Sequence, residues 1–124
     1  MLAQFFLYTA AVFTAIWGVA HLFPTASVVK GFGEISQDNK YIVYMEWITE
    51  GIALIFTGLL VGGTTFLGQD TVVSTFVYLL SSFFLIMLAL ISLFTGFKIN
   101  FLPFKLCPFI FGLSALLIIT GMII

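Results

Sequence analysis

The sequence predicts an all-α integral membrane protein, a bundle of four transmembrane helices forming one domain over residues 1–124. Hydrophobic residues make up 62% of the chain and charged residues only 7%. So few polar side chains could not cover the outside of a soluble domain of this size. The chain also divides into four apolar stretches, each near the roughly 20 residues that a helix needs to cross a bilayer. These predicted spans are residues 2–23, 41–62, 72–97 and 106–124.

The first segment has one face of small and polar side chains, repeating at the spacing of an α-helix. The side chains on this face are Ala10, Thr14, Trp17 and His21. Pro24 disfavours a helical conformation at the residue before it, so we expect the helix to end near Phe23. The connection that follows, residues 24–40, is polar and is either a functional loop or, at least as readily, a plain connector. We expect Ser36, Asp38 or Asn39 to cap the second helix.

The second segment carries two carboxylates, Glu46 and Glu50, one helical turn apart. Counted from Tyr41 at about 1.5 Å per residue, Glu50 would lie near the middle of the bilayer and Glu46 about halfway to it. An acidic residue at the centre of a membrane helix costs about 2.5–3.5 kcal/mol, so we expect both to face the bundle. Gly58 and Gly62 would allow a neighbouring helix to approach closely.

The third and fourth segments contain few polar groups. Ser92 lies on a weakly polar face of the third segment, which has no charge, and Ser114 lies on a similar face of the fourth. We expect Pro108 to occupy the first turn of the fourth helix, where a proline's missing amide hydrogen costs little.

The distribution of lysines predicts how the protein is oriented. All four lysines fall in the connections 24–40 and 98–105, whereas the remaining connection and both termini have none. Because lysine and arginine accumulate on the cytoplasmic side, we expect these two connections to be cytoplasmic and both termini to lie outside.

In an up-and-down bundle, the side that carries the lysines also collects the polar ends of all four segments. We therefore predict a pocket on that side that binds or relays a proton, a cation or a small polar ligand. Its candidate residues are His21, Glu46, Glu50, Trp17, Ser92 and Ser114.

A divalent metal is one candidate occupant of this pocket. Two neighbouring carboxylates repel each other at low dielectric, and a proton, a metal ion or an organic cation between them would relieve that repulsion. His21 could be a protonated partner, or it could complete a metal-binding set with Glu46 and Glu50.

Other roles remain open. Glu46 could reach back to the interface beside Tyr44 and Lys40, leaving only Glu50 buried. Glu50 could then simply hydrogen-bond to His21, Ser92 or Trp17 and fix the packing of a structural or accessory subunit, which would assemble with itself or with other membrane proteins. No feature demands catalysis, so an enzyme using Glu50 or His21 as acid and base ranks last. No motif for a nucleotide or flavin is present, and no basic run suits nucleic acid.

The stretch WGVAHLFP at Trp17–Pro24, followed by a polar connection and a helix with acidic residues, resembles the DoxX-like small membrane proteins. Gly18, His21 and Pro24 carry the resemblance in motif. It implies a compact four-helix bundle in a bacterial or archaeal cytoplasmic membrane, in some cases associated with respiratory or quinone-linked complexes. The stretch MEWITEGIALIFTG departs from the family pattern, so the resemblance assigns no activity.

Overall fold

The computed structural model describes residues 1–124 and shows an all-helical chain without β-strands. Its five helices are α1 (Leu2–Leu22), α2 (Thr25–Gly31), α3 (Gln37–Gly68), α4 (Val72–Gly96) and α5 (Leu102–Ile123). All except α2 are long and apolar enough to cross a membrane. The predicted all-α class with four long apolar helices is therefore confirmed.

Helix α3 is longer at both ends than the predicted span 41–62. It begins at Gln37 because Ser36 caps it, accepting a hydrogen bond from the Asn39 amide at 3.2 Å. At its C-terminal end α3 continues through Gly62 and Gly63. Tertiary contacts of the extension outweigh the weak helix propensity of these glycines. Thr65 lies in this extension, and its hydroxyl lies 3.0 Å from the Tyr78 hydroxyl of α4.

The expectation that residues 24–40 form a loop is wrong, because seven of them form α2 and the last four begin α3. The segment buries Val29 and Thr25, and the Thr25 hydroxyl donates to the Leu22 carbonyl at 2.6 Å. Burial of this small face gives the short helix a tertiary contact that the polar sequence did not reveal.

Helix α5 begins at Leu102, earlier than predicted, with Pro103 in its first turn. Pro108 therefore lies inside the helix and not in its first turn, contrary to the sequence-based expectation. Without an amide hydrogen on Pro108, the Phe104 carbonyl has no partner at the usual position four residues on. The backbone at Gly96 packs directly against this carbonyl, and a Cβ atom there would collide with it.

Helices α1 and α3 are antiparallel and approach at glycines. A Cβ atom added to Gly18 would lie 2.7 Å from the Gly51 carbonyl oxygen, and one added to Gly58 would lie 2.5 Å from that of Ala11. At Gly62, by contrast, an added Cβ would make an ordinary contact of 3.4 Å. The close approach predicted for Gly58 is confirmed. The other glycine of α3 that packs closely against α1 is Gly51, seven residues earlier, and not Gly62.

The core lies where α1 packs between α3 and α5, with α4 against α5. Its largest fully buried side chains are Tyr78, Phe111, Leu7, Leu54 and Leu85. Helices α3 and α4 touch near their connecting turn and then diverge, leaving an apolar lateral groove of about 440 Å³ between residues 53–60 and 80–87. The bundle is thus tightly closed around α1 and open along one side.

Candidate functional site

The candidate site forms where the C-terminal end of α1 meets α3. The last carbonyls of a helix lack amide partners farther along the chain, and Pro24 supplies no amide hydrogen. The Trp47 indole Nε1 fills part of this gap by donating to the His21 carbonyl oxygen at 2.6 Å. The two rings also stack, with centroids 3.9 Å apart and planes 16° apart. Trp47 thereby fixes both the backbone and the side chain of His21.

His21 and Glu50 form the ionisable pair of the site. The His21 Nε2 atom lies 3.4 Å from a carboxylate oxygen of Glu50. His21 is buried, at 7% exposure, while the Glu50 side chain is 37% exposed. Although the distance suits an ion pair, Nε2 makes no hydrogen bond of good geometry. The structure therefore brings together the predicted histidine and one predicted carboxylate, and leaves a buried polar atom unsatisfied.

Glu46 does not join this pair. It is exposed, so the expectation that it would face the bundle is wrong and its position agrees with the alternative in which only Glu50 is buried. Because Trp47 bonds to the next-to-last residue of α1, Glu46 lies level with the end of that helix and Glu50 only about one turn deeper. Both carboxylates are thus nearer the end of the bundle than a count from Tyr41 indicated.

The three-ligand metal set suggested for His21, Glu46 and Glu50 is not assembled. No group of three histidine, cysteine, aspartate or glutamate side chains in the structure is arranged to hold a metal ion. One imidazole and one carboxylate fall short of the three protein ligands typical of a zinc site.

The two serines predicted for the site lie apart from the pair. The Ser92 hydroxyl is half-buried and donates within its own helix, to the Leu88 carbonyl at 2.7 Å. Ser114 is buried, and its hydroxyl has no hydrogen-bond partner. It lies two turns beyond Cys107 along α5, toward the middle of the bundle. Neither serine extends the His21–Glu50 pair.

A cavity of about 180 Å³, here called the aromatic cavity, lies beside His21. Aromatic rings dominate its wall: Trp47 meets Phe104 edge to face at 5.3 Å, and Phe104 meets Phe101 in the same way at 5.6 Å. Trp17 also lines the cavity, and its buried indole Nε1 makes no hydrogen bond of good geometry, although the Cys107 thiol, a weak acceptor, lies beside it. The cavity therefore has mainly apolar walls, and two of its lining side chains, Trp17 and His21, carry a buried nitrogen without a hydrogen bond of good geometry.

Sequence reasoning placed His21 and Trp17 in the site but missed its aromatic wall. Trp47 was not among the predicted site residues, and Phe101 and Phe104 fell in the predicted connection 98–105. The run Phe101–Phe104 around Pro103 was the available signal, because a proline in a first turn marks a helix start. A helix starting there carries Phe104 toward Trp47.

The fold and site together define an all-helical protein with four helices suited to a membrane and a polar pair near one end of the bundle. No protein-family model matches the chain, and no curated protein or solved structure shows significant similarity to it. The resemblance to DoxX-like proteins stays a prediction.

Proposed function

We propose that this chain is an integral membrane protein that binds a small polar ligand at the end of α1, beside the His21–Glu50 pair. The carrying observation is that His21, which pairs with Glu50, and Trp17 line the same cavity, and that their ring nitrogens, His21 Nε2 and Trp17 Nε1, are buried without a hydrogen bond of good geometry. Leaving a buried donor or acceptor without a partner costs about 1–3 kcal/mol per group. A ligand that drew the His21 imidazole into a hydrogen bond would remove part of that cost.

Ligand binding accounts for the geometry better than a proton relay through the bundle or a metal centre. A relay needs a chain of hydrogen-bonding groups, yet Ser92 bonds within its own helix and Ser114 has no partner. In this proposal Glu50 and the ligand share His21 Nε2, and the carboxylate, 3.4 Å from that nitrogen, balances the charge of the imidazole when it is protonated. Ionisable side chains placed within membrane spans are functional more often than not.

The proposed location is a prokaryotic cytoplasmic membrane with residues 24–40 and 98–105 on the cytoplasmic side and both termini outside. All four lysines then lie inside, as the charge rule favours. A membrane-impermeant amine reagent added to intact cells should leave Lys30 and Lys98 unmodified and label them once the membrane is opened. Labelling of either lysine in intact cells would contradict this orientation.

The Glu50→Gln variant tests the binding site. We expect native mass spectrometry of the wild-type protein, extracted gently from membranes, to show a small-molecule adduct. Glu50→Gln should lose most of it while keeping its helical content, because an amide holds the imidazole less firmly than a carboxylate does. Glu46→Gln is the matched control on the same helix, and it should retain the adduct because Glu46 is exposed.

The alternative is a structural or accessory subunit in which the pair serves packing. The lateral groove between α3 and α4 favours this reading, since a helix of another subunit could lie along it. An adduct-free wild-type protein, together with a strongly destabilised Glu50→Gln variant, would support the packing role and contradict the binding site.

A further inference from the structure

We propose that the lysine-bearing end of the bundle holds one anionic phospholipid, with its glycerol and the upper part of its acyl chains in a groove beside α2 and its phosphate against Lys30 and Lys98. The inference rests on the proposed membrane location and does not depend on a ligand at the His21–Glu50 pair. Three features of the groove carry it: its level in the bundle, its lining and the charges that border it.

The groove, here called the lysine-side groove, lies at the level where long helices end. One wall is α2 with Phe32, and the other is the connection from α4 to α5 with the start of α5. Helix α2 follows α1, which ends at Leu22, and the connection follows α4, which ends at Gly96. Both walls therefore begin where apolar spans end, which is the level of the phospholipid headgroups in a membrane.

The lining of the groove is mainly apolar and partly polar, as the surface of a phospholipid near its glycerol is. Its polar side chains, Ser27 and Asn100, can donate hydrogen bonds to phosphate or ester oxygens. Phe32 is 56% exposed and Ile99 is 43% exposed, so the chain itself leaves much of the apolar lining uncovered. The apolar lining residues are Val28, Phe32, Ile99, Phe101 and Phe104.

The size of the lysine-side groove suits a part of a lipid. Its volume is about 490 Å³. Pockets for organic ligands measure about 300–1,000 Å³, so the groove has room for a molecule of that size. A free phosphate ion would leave most of the groove and nearly all of its apolar lining uncovered. The matching occupant is therefore an amphiphile.

The charges that border the groove favour an anion. Lys30 and Lys98 each directly precede a residue that lines it. Together, α2 and residues 97–104 contain these two lysines and no acidic residue, and Glu34, the first acidic residue after α2, does not line the groove. Both lysines are exposed, and neither forms an ion pair with an acidic side chain of the protein. A phosphate at the edge of the groove would meet two positive charges that the chain does not neutralise.

An anionic phospholipid combines these requirements at the right level of the membrane. The cytoplasmic leaflet, where these lysines are proposed to lie, carries a negative surface potential from its anionic lipids. A zwitterionic phospholipid has the same glycerol and acyl chains, but it would bring a cationic headgroup next to the two lysines. The groove should therefore select for net negative charge and not only for acyl chains.

Native mass spectrometry tests this selection on the full-length protein, released from nanodiscs of equal phosphatidylglycerol and phosphatidylcholine with identical acyl chains. We expect the wild type to retain one phosphatidylglycerol in preference to phosphatidylcholine. Lys98→Gln should lower the ratio of the two retained lipids roughly fivefold, the factor expected for one lysine near an anionic membrane surface. Lys40→Gln is the matched control, because it removes the same charge from α3, which contributes no residue to the groove. It should leave the ratio unchanged.

A second pair of variants tests the groove separately from its charges. Gly31 lines the groove, and a Cβ atom added there meets nothing within 4 Å. Gly31→Leu should therefore fill the groove without displacing the backbone, and lose most of the retained lipid although both lysines remain. Gly63→Leu places the same side chain in open space on α3 and should retain lipid as the wild type does.

The outcomes separate this inference from the binding site at His21. Equal retention of the two lipids by the wild type overturns the phospholipid site. So does an equal effect of Lys40→Gln and Lys98→Gln, or unchanged retention in Gly31→Leu, because either result assigns the lipid to general attraction by the charged end.

The small-molecule adduct expected at the His21–Glu50 pair differs in mass from a phospholipid and depends on Glu50. If that adduct persists while the preference for phosphatidylglycerol is absent, only this inference fails. If the preference is present and the adduct is missing, the phospholipid site stands and the ligand site fails. Recovery of the chain outside the membrane fraction of cells would contradict both.

Discussion

Replacing Gly58 with alanine will loosen the contact between α1 and α3 and lower the melting temperature of the protein in detergent. The added Cβ atom would lie 2.5 Å from the Ala11 carbonyl oxygen and 2.8 Å from the Ala15 amide nitrogen. Both are backbone atoms, so a side-chain rotation cannot relieve the clash and the helices must move apart. We expect a net loss of about 1–3 kcal/mol, typical of overpacking, despite the better helix propensity of alanine.

Gly63→Ala is the matched control for this prediction. Gly63 lies in the same helix, and a Cβ atom added there meets nothing within 4 Å. The substitution should be neutral or stabilising, by up to about 1 kcal/mol, because alanine favours the helix and fills open space. Equal melting temperatures for Gly58→Ala and Gly63→Ala would show that the α1–α3 contact does not depend on a glycine at position 58.

Replacing Trp47 with alanine will have the largest effect of any single substitution near the site. Trp47 is buried, caps the end of α1 through the His21 carbonyl, stacks on the His21 ring and contacts Phe104. Truncation would open a cavity between α1, α3 and α5 and leave a carbonyl unpaired. We expect a loss of about 3–5 kcal/mol, the range found for buried large aromatic residues, measured by thermal or denaturant unfolding in detergent.

Two further substitutions show which contacts of Trp47 account for this loss of stability. Trp47→Phe retains one ring but removes the donor and part of the indole, so it should lose about 1–3 kcal/mol through the unpaired His21 carbonyl and the smaller ring. Phe66→Ala, at the other end of the same helix, removes a side chain that is 81% exposed and should leave stability in detergent nearly unchanged. The capping role of Trp47 would be contradicted if Trp47→Phe proved as stable as the wild type.

The site could be predicted only in part, because its residues come from elements whose ends the sequence did not locate. His21 and Glu50 were accessible to sequence reasoning, since ionisable residues in apolar spans are few. Glu46 was misplaced because depth was counted from Tyr41, whereas α1 ends at Leu22 and leaves Glu46 level with its last turn. The aromatic wall was missed because it depends on α5 starting at Leu102.

The fold, like the site, could be predicted from the sequence only in part. Apolar stretches of adequate length are a property of the chain alone, because backbone polar groups within a span must be satisfied inside each helix. The sequence by itself therefore determined the helical class, the four long helices and the polarity of their connections. It also determined that His21 and Glu50 would be costly to bury without partners.

Only the tertiary structure decided which of these groups meet. Close approach at Gly18, Gly51 and Gly58 sets the register of α1 against α3, and that register places His21 beside Trp47 and Glu50 while leaving Glu46 exposed. The physical reason is that a contact between helices depends on the shapes of both surfaces. The spacing of residues along one helix reports only one of those surfaces.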